Sequence, residues 1–349
     1  MRALGEIAVG ESEMSFGYFS PGDRAGYIVN WTPRSKRPSQ AVGGVRDLLP
    51  ELLGDIVRFC RKAKEDLEAN RLVGLSLGAY LRLRKVPRDF ADRYAIAMGS
   101  AIWSTPPRSL VEFPAESFFR FFANHGLLDL TGPPQWLHIR GGSRCYVQAI
   151  ASALVGAAQC QAPVEKVQRV DGGVRVQIAG RSPQPFDHAV FAVHADEVLG
   201  LLADPTDEER SCFSAWRYER NVAVLHTNVR IMPPEPGLWA AWNYRAEPDA
   251  AFGPLAVTYY LNRLQGLGEA ERSYFLTLNP RAPFPQEHVL GTYSFTHPVY
   301  SEQALTARGR LAALNGRDRV WYCGSYLGHG FHEDAVRSGL EVASRLESA

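Results

Sequence analysis

Cysteine is scarce in this chain and scattered: Cys60, Cys145, Cys160, Cys212 and Cys323 are odd in number and form no C-x-x-C pair. Neither a disulfide framework nor a thiolate zinc site is expected from that usage. Lysine is as rare, found only at Lys36, Lys62, Lys64, Lys85 and Lys166, so arginine carries most of the positive charge. The formal net charge is only +1 and no block of like charge stands out, which argues against nucleic acid as a partner. No apolar run reaches the length of a membrane span, and the N-terminus lacks a basic-then-apolar leader. A reducing cytoplasm is the expected compartment. Nine histidines include no H-E-x-x-H or other close metal spacing, so no metal site is expected. A nucleophile elbow of the G-x-S-x-G type is absent too.

What is present suits a large globular protein: 349 residues, 46% hydrophobic and 21% charged, enough for one large domain or two ordinary ones. Met14 to Trp31 reads as a hairpin around a Pro21-Gly22-Asp23 turn, followed by a loop from Thr32 to Gln40. Helical spacing dominates from about Val45 to Gly126, with Leu49, Leu52, Leu53, Ile56, Cys60 and Ala63 on one face. The aromatics Phe113, Phe118, Phe119, Phe121 and Phe122 read first as core and, more sharply, as the wall of an apolar tunnel.

From Gln135 the pattern turns α/β. A Gly141-Gly142-Ser143 loop precedes an Ala-rich helix from about Cys145 to Ala158. Val164–Val170 and Val174–Ile178 flank an Asp171-Gly-Gly turn, a hairpin signal, and Phe186–His194 reads as one buried strand. Arg217 to Tyr300 is rich in strands and turns.

The last thirty residues are the most informative. A short buried strand, Val320–Cys323, runs into glycines at Gly324, Gly328 and Gly330, and a helix starts near His332. Ala335, Val336, Gly339, Leu340, Ala343 and Leu346 are expected on its buried face. A helix N-terminus suits a phosphate or an anionic ring oxygen. Gly339 inside the helix costs about 1 kcal/mol against Ala, which points to close packing or close ligand approach.

This segment resembles the C-terminal flavin-binding motif of the flavin amine oxidase and phytoene desaturase superfamily. Trp136–Ser143, Val257–Gly266, Tyr274–Pro280, Thr296–Tyr300 and Gly330–Asp334 resemble a bacterial branch of that superfamily, the predicted NAD/FAD-binding oxidoreductases. The resemblance implies a mixed α/β, two-domain, FAD-dependent fold. Residues 1–134 would form a substrate or cap domain, 135–205 and 316–349 parts of the FAD domain, and 206–315 the substrate-domain sheet. Val164 would meet the adenine with its backbone, and Ala192–Ala195 would pass near the dinucleotide. The cofactor-binding set would be completed by Gly324, Ser325, Gly330, Phe331, His332, Glu333, Asp334, Ala335 and Gly339. Hydride would leave the substrate for the flavin, with donors at Phe331 to Asp334 facing the negative charge that develops. His297 and Asn262 are the polar residues expected nearest the reacting carbon.

Two departures qualify the resemblance. Relatives open with a βαβ unit carrying G-x-G-x-x-G, and no such turn occurs here; Gly43-Gly44, Gly141-Gly142 and Gly172-Gly173 have the wrong context. No lysine follows Lys166, although amine oxidases of the superfamily hold one near the flavin. That favours hydride removal from an apolar small molecule, such as a lipid, over amine oxidation. Three readings follow: an oxidoreductase lacking roughly 75 N-terminal residues, the size of one βαβ unit with its extension; a short protein completed by a partner chain; or a non-catalytic remnant acting as a lipid-binding or interaction module. Loss of that unit would expose a parallel-sheet edge, so oligomerisation or association with a partner chain is expected.

Overall fold

A computed structural model describes residues 7–20, 25–30, 39–42, 49–129, 134–154, 158–246, 256–267 and 270–348. The Pro21–Asp23 turn, the Gly43-Gly44 pair and most of the loop expected from Thr32 lie outside these residues. The strands are β1 (Val9–Ser12), β2 (Ser15–Ser20), β3 (Ala25–Asn30), β4 (Gln40–Val42) and β5 (Trp136–Ile139), then β6 (Val164–Val170), β7 (Gly173–Ile178), β8 (Gln184–Phe186) and β9 (Ala189–Phe191). They continue with β10 (Arg217–His226), β11 (Trp242–Arg245), β12 (Val257–Tyr260), β13 (Phe275–Leu278), β14 (Val289–Val299) and β15 (Val320–Tyr322). The chain divides into unit 1, Met1–Val155 with Arg220–His297, and unit 2, Gly156–Glu219 with Pro298–Ala349. Among the described residues no helix is long and apolar enough to cross a membrane.

Unit 1 is built on an eight-stranded sheet in the order β14-β10-β13-β12-β11-β2-β3-β4. The expected hairpin is β2 and β3, paired antiparallel from Ser15↔Asn30 to Ser20↔Ala25. A parallel seam, Trp242↔Phe16 through Arg245↔Phe19, joins β11 to β2 across more than two hundred residues of sequence. Polar side chains tie it: Ala241 N–H donates to Ser15 Oγ (2.8 Å), and Asn243 Oδ1 accepts from Ala240 N (2.8 Å). Both faces of the sheet are covered, with Phe16, Tyr27 and Val257 buried on one and Ile28 and Phe275 on the other.

The helical part of unit 1 packs around aromatics. Leu49–Glu68 buries Ile56, Cys60 and Ala63, as its spacing predicts. Phe113, Phe118, Phe119, Phe121 and Phe122 are all buried, and tilted or stacked contacts link four of them to Trp103. They form a packed core, each ring contributing about 1.5–3 kcal/mol by burial. Gly99 permits the close approach, since a Cβ there would lie 2.5 Å from Phe118. Helical turns from Arg88 to Trp103 contain a π segment, Ala91–Ile96.

Unit 2 contains the antiparallel meander β6-β7-β8 and the parallel pair β15-β9. The Asp171-Gly-Gly turn joins β6 to β7 as expected. Phe186–His194 is not one strand: β8 ends at Phe186, Phe186 is exposed, and β9 covers only Ala189–Phe191. The two stretches join different sheets, because β8 pairs with β7 and β9 with β15. Below them Glu209 is nearly fully buried and accepts from Tyr322 Oη (2.5 Å), Thr206 N (2.8 Å) and Arg169. Burial pushes the Glu209 carboxyl up, but the bonds from Tyr322 and Thr206 and the Arg169 charge together hold it below the ordinary value.

Candidate cofactor site

The glycine-rich turn is built as expected from the end of β15 to the helix His332–Leu346, all within unit 2. Cys323 continues the β15 edge, its N–H donating to Phe191 O (3.0 Å). Ser338 then straps the turn to the helix: Gly324 N–H donates to Ser338 Oγ (3.0 Å). Ser325 O accepts from both Gly328 N and Gly330 N (3.0 Å each), closing the loop on itself.

Asp334 organises the helix start. Its Oδ2 accepts from Phe331 N (3.1 Å), and Arg337 Nη2 donates to Oδ1 at 3.3 Å. A buried carboxylate therefore sits at the N-terminus where the sequence suggested a ligand anion. It also explains one glycine, because a Cβ at Gly328 would lie 2.1 Å from Asp334 Oδ1. Gly330, at φ +95°, would bring a Cβ to 2.8 Å of Tyr300 Oη. Ala335 is half-buried, with its N–H donating to Phe331 O (3.2 Å), while His332 and Glu333 are exposed.

The expected buried face of this helix is displaced. Asp334, Ser338 and Val342 are buried, whereas Val336 is 56% and Leu340 66% exposed. The strap bonds of Asp334 and Ser338 rotate the polar side inward and leave the larger apolar residues outside. Among the described residues nothing lies within 4 Å of where a Cβ at Gly339 would stand, so close packing against them does not explain it. Val190, on β9, is 45% exposed as well.

Beside the turn lie polar atoms that sequence reasoning missed. Trp216 packs edge-on against Tyr300 (5.8 Å) and Tyr326 (5.4 Å). Trp216 Nε1 and Tyr326 Oη are buried, with no hydrogen-bond partner among the described residues. Such atoms call for a water or a ligand. Burial also raises the Tyr326 hydroxyl far above its ordinary pKa, so it stays a neutral donor. Two buried donors suit a group that brings acceptors; no cluster of three or more His, Cys, Asp or Glu exists among the described residues. Val164 starts β6 partly exposed, next to a register shift before Lys166. Ala195 N–H donates to Tyr218 Oη at 3.0 Å.

The two residues expected nearest the reacting carbon are in unit 1, and their surroundings differ. Asn262 lies in the short helix Leu261–Leu264 and braces a loop: Nδ2 donates to Arg272 O (3.0 Å) and Oδ1 accepts from Tyr274 N (2.8 Å). His297 belongs to a side-chain relay across adjoining strands. Val222 N–H donates to Asn279 Oδ1 (2.9 Å), Asn279 Nδ2 donates to Asn221 Oδ1 (2.6 Å), and Asn221 Nδ2 meets His297 Nδ1 at 2.9 Å. Because the backbone N–H fixes which end of Asn279 is oxygen, each later orientation follows. Nδ1 of neutral His297 is thus the acceptor, and its proton sits on Nε2.

No protein-family model matches the chain, and no curated protein does. Solved structures do match. A double mutant of putrescine oxidase, from a redesign of its cofactor binding, is 13% identical with a TM-score of 0.69, over 100% of this chain and 84% of that one. Cyclohexylamine oxidase from Brevibacterium oxydans is 14% identical with a TM-score of 0.64, over 99% and 84%. A CLA-producing fatty acid isomerase from P. acnes is 14% identical with a TM-score of 0.66, over 99% and 82%. At such identities it is the fold that is shared: the chain has the mixed α/β fold of these two oxidases and the isomerase.

Proposed function

We propose that the chain is an FAD-dependent oxidoreductase that removes a hydride from an apolar or amine-bearing small molecule. The observation that carries this reading is the glycine turn of unit 2, with the buried, unsatisfied Trp216 Nε1 and Tyr326 Oη beside it. The fold of amine oxidases over the whole chain supports it. FAD, when bound, supplies the acceptor for the hydride. The residues Gly324, Ser325 and Gly330 to Ala335 hold it, with Val164 toward the adenine and Gly339 allowing close approach. Asp334 fixes the turn rather than contacting an anion, because its carboxylate is already committed to Phe331 N–H.

His297 is the proposed catalytic residue, holding a proton on Nε2 toward the substrate. Asn262 is proposed to shape that region through the 272–274 backbone. The absence of lysine after Lys166 favours an apolar donor over an amine. A second chain, or a second copy, is proposed to cover Val190, Val336 and Leu340. The reaction is tested by anaerobic bleaching of the flavin band with long-chain amines and polyunsaturated lipids. Bleaching by either class that is lost in His297→Ala supports the reading; full turnover in that variant removes His297 from it.

A further inference from the structure

Unit 1 contains a groove of about 410 Å³ that the flavin reading does not use, lined by residues of the Leu49–Glu68 and Leu77–Leu83 helices and the segment that follows them. Its floor is aromatic: Phe59 and Phe90 meet edge-on at 5.5 Å, and Tyr80 lies alongside. Its rim is cationic, with Arg58, Lys62, Arg84 and Lys85 against the single carboxylate of Asp55. That volume lies in the range of small-molecule sites, and an apolar floor with a few convergent charges is their usual chemistry.

Three features distinguish the groove from a solvated face. Asp66 is fully buried behind it and accepts from Arg84 Nε (2.7 Å), Arg84 Nη2 (2.5 Å), Arg71 Nε (2.8 Å) and Tyr80 Oη (3.1 Å). A carboxylate desolvated to that degree holds the guanidinium fork in one orientation, and no acceptor for Arg84 Nη1 is found among the described residues. Lys85 stands at φ +52° in the left-handed turn that closes the Leu77–Leu83 helix, where Val86 N–H donates to Leu81 O (2.9 Å), and no carboxylate lies within ion-pair distance of it among the described residues. The π segment Ala91–Ile96 begins directly after Phe90, and such segments are rare and concentrate at functional sites.

We infer that this groove binds an acidic amphiphile, a carboxylate whose head meets Arg84 and Lys85 while its apolar body lies on Phe59 and Phe90. Arg58 and Lys62 hold only solvent-exposed pairs, with Asp55 and Glu65, which are worth little and open to exchange for the ligand carboxylate. The site does not depend on flavin.

Titration calorimetry of the whole chain with decanoate, decanol and decylamine tests it. Decanoate binds, decanol binds about tenfold more weakly, and decylamine is rejected. Lys85→Asn removes the charge in a residue that tolerates the backbone conformation, and with Arg58→Gln it weakens decanoate about tenfold. Lys64→Gln, whose lysine pairs with Asp129 instead, leaves binding unchanged. Equal binding of decanol and decanoate, or decanoate binding indifferent to both rim substitutions, overturns the inference and leaves the groove a solvated cationic face.

Discussion

Asn221 Nδ2 and His297 Nδ1 stand 2.9 Å apart, and that contact sets the tautomer of the histidine. Asn221 is almost fully buried, so its orientation has no solvent to relax into. Asn221→Asp presents an acceptor in place of the donor, moving the imidazole proton to Nδ1. Flavin-dependent turnover should fall by about tenfold or more, in the range that general acid–base groups contribute. Long-range nitrogen–proton NMR should show Nε2–H in the wild type and Nδ1–H in the variant; Nδ1–H in the wild type would contradict the relay.

Trp216→Phe and Tyr326→Phe remove polar atoms that have no partner among the described residues. Without FAD each substitution should leave stability unchanged or raise it by about 1 kcal/mol, because a buried unsatisfied group is lost. Affinity for FAD should drop in the same variants. Parallel melting curves with and without FAD check both signs at once.

Glu209→Gln weakens a buried network joining Arg169, Thr206 and Tyr322 and leaves Arg169 paired with Asp204. Unit 2 should lose about 1.5–3 kcal/mol, the worth of a hydrogen bond to a charged group, read from urea unfolding. The wild-type carboxyl is held below its ordinary 4.5, so its contribution is complete above that pH and is lost as the pH falls through the folded value.

His226 titrates in the opposite chemical sense with the same outcome. Its Nδ1 accepts from Asn228 N (3.1 Å) and its Nε2 donates to Thr277 Oγ1 (2.8 Å), so the buried ring is neutral. Burial first, then the His288 charge, lowers its pKa from 6.5 to about 4. Between those values the unfolded chain takes up a proton that the folded chain refuses. Stability should be complete above pH 6.5 and fall by about 3 kcal/mol by pH 4. His226→Gln should flatten that dependence in acid-unfolding curves.

Leu340→Lys, on the exposed face of the last helix, should leave the melting temperature within about 2 °C of wild type and reduce self-association. Light scattering across a concentration series reads the second effect.

Local patterns were legible wherever side-chain spacing and turn chemistry acted together. The β2–β3 hairpin, the β6–β7 hairpin around Asp171, the helix buried through Ile56 and Cys60, and the helix start at His332 all follow from them. What was hidden depends on distant partners. The parallel seam of β2 with β11, and the pairing of β1 with β5, leave no trace in either segment alone. The Phe186–His194 run looked continuous because apolar spacing does not reveal which sheet each half joins. On the last helix, apolar spacing put Val336 and Leu340 inside; the bonds of Asp334 and Ser338 decided otherwise. The unsatisfied Trp216 and Tyr326 could not have been found, since lack of a partner is a property of packing alone.

The most direct test of the account is the visible absorbance spectrum of the purified chain, before and after adding FAD and removing the excess. The account predicts a flavin band that is retained, and that weakens in the Trp216→Phe and Tyr326→Phe variants. A chain that retains no flavin band under either condition would contradict it.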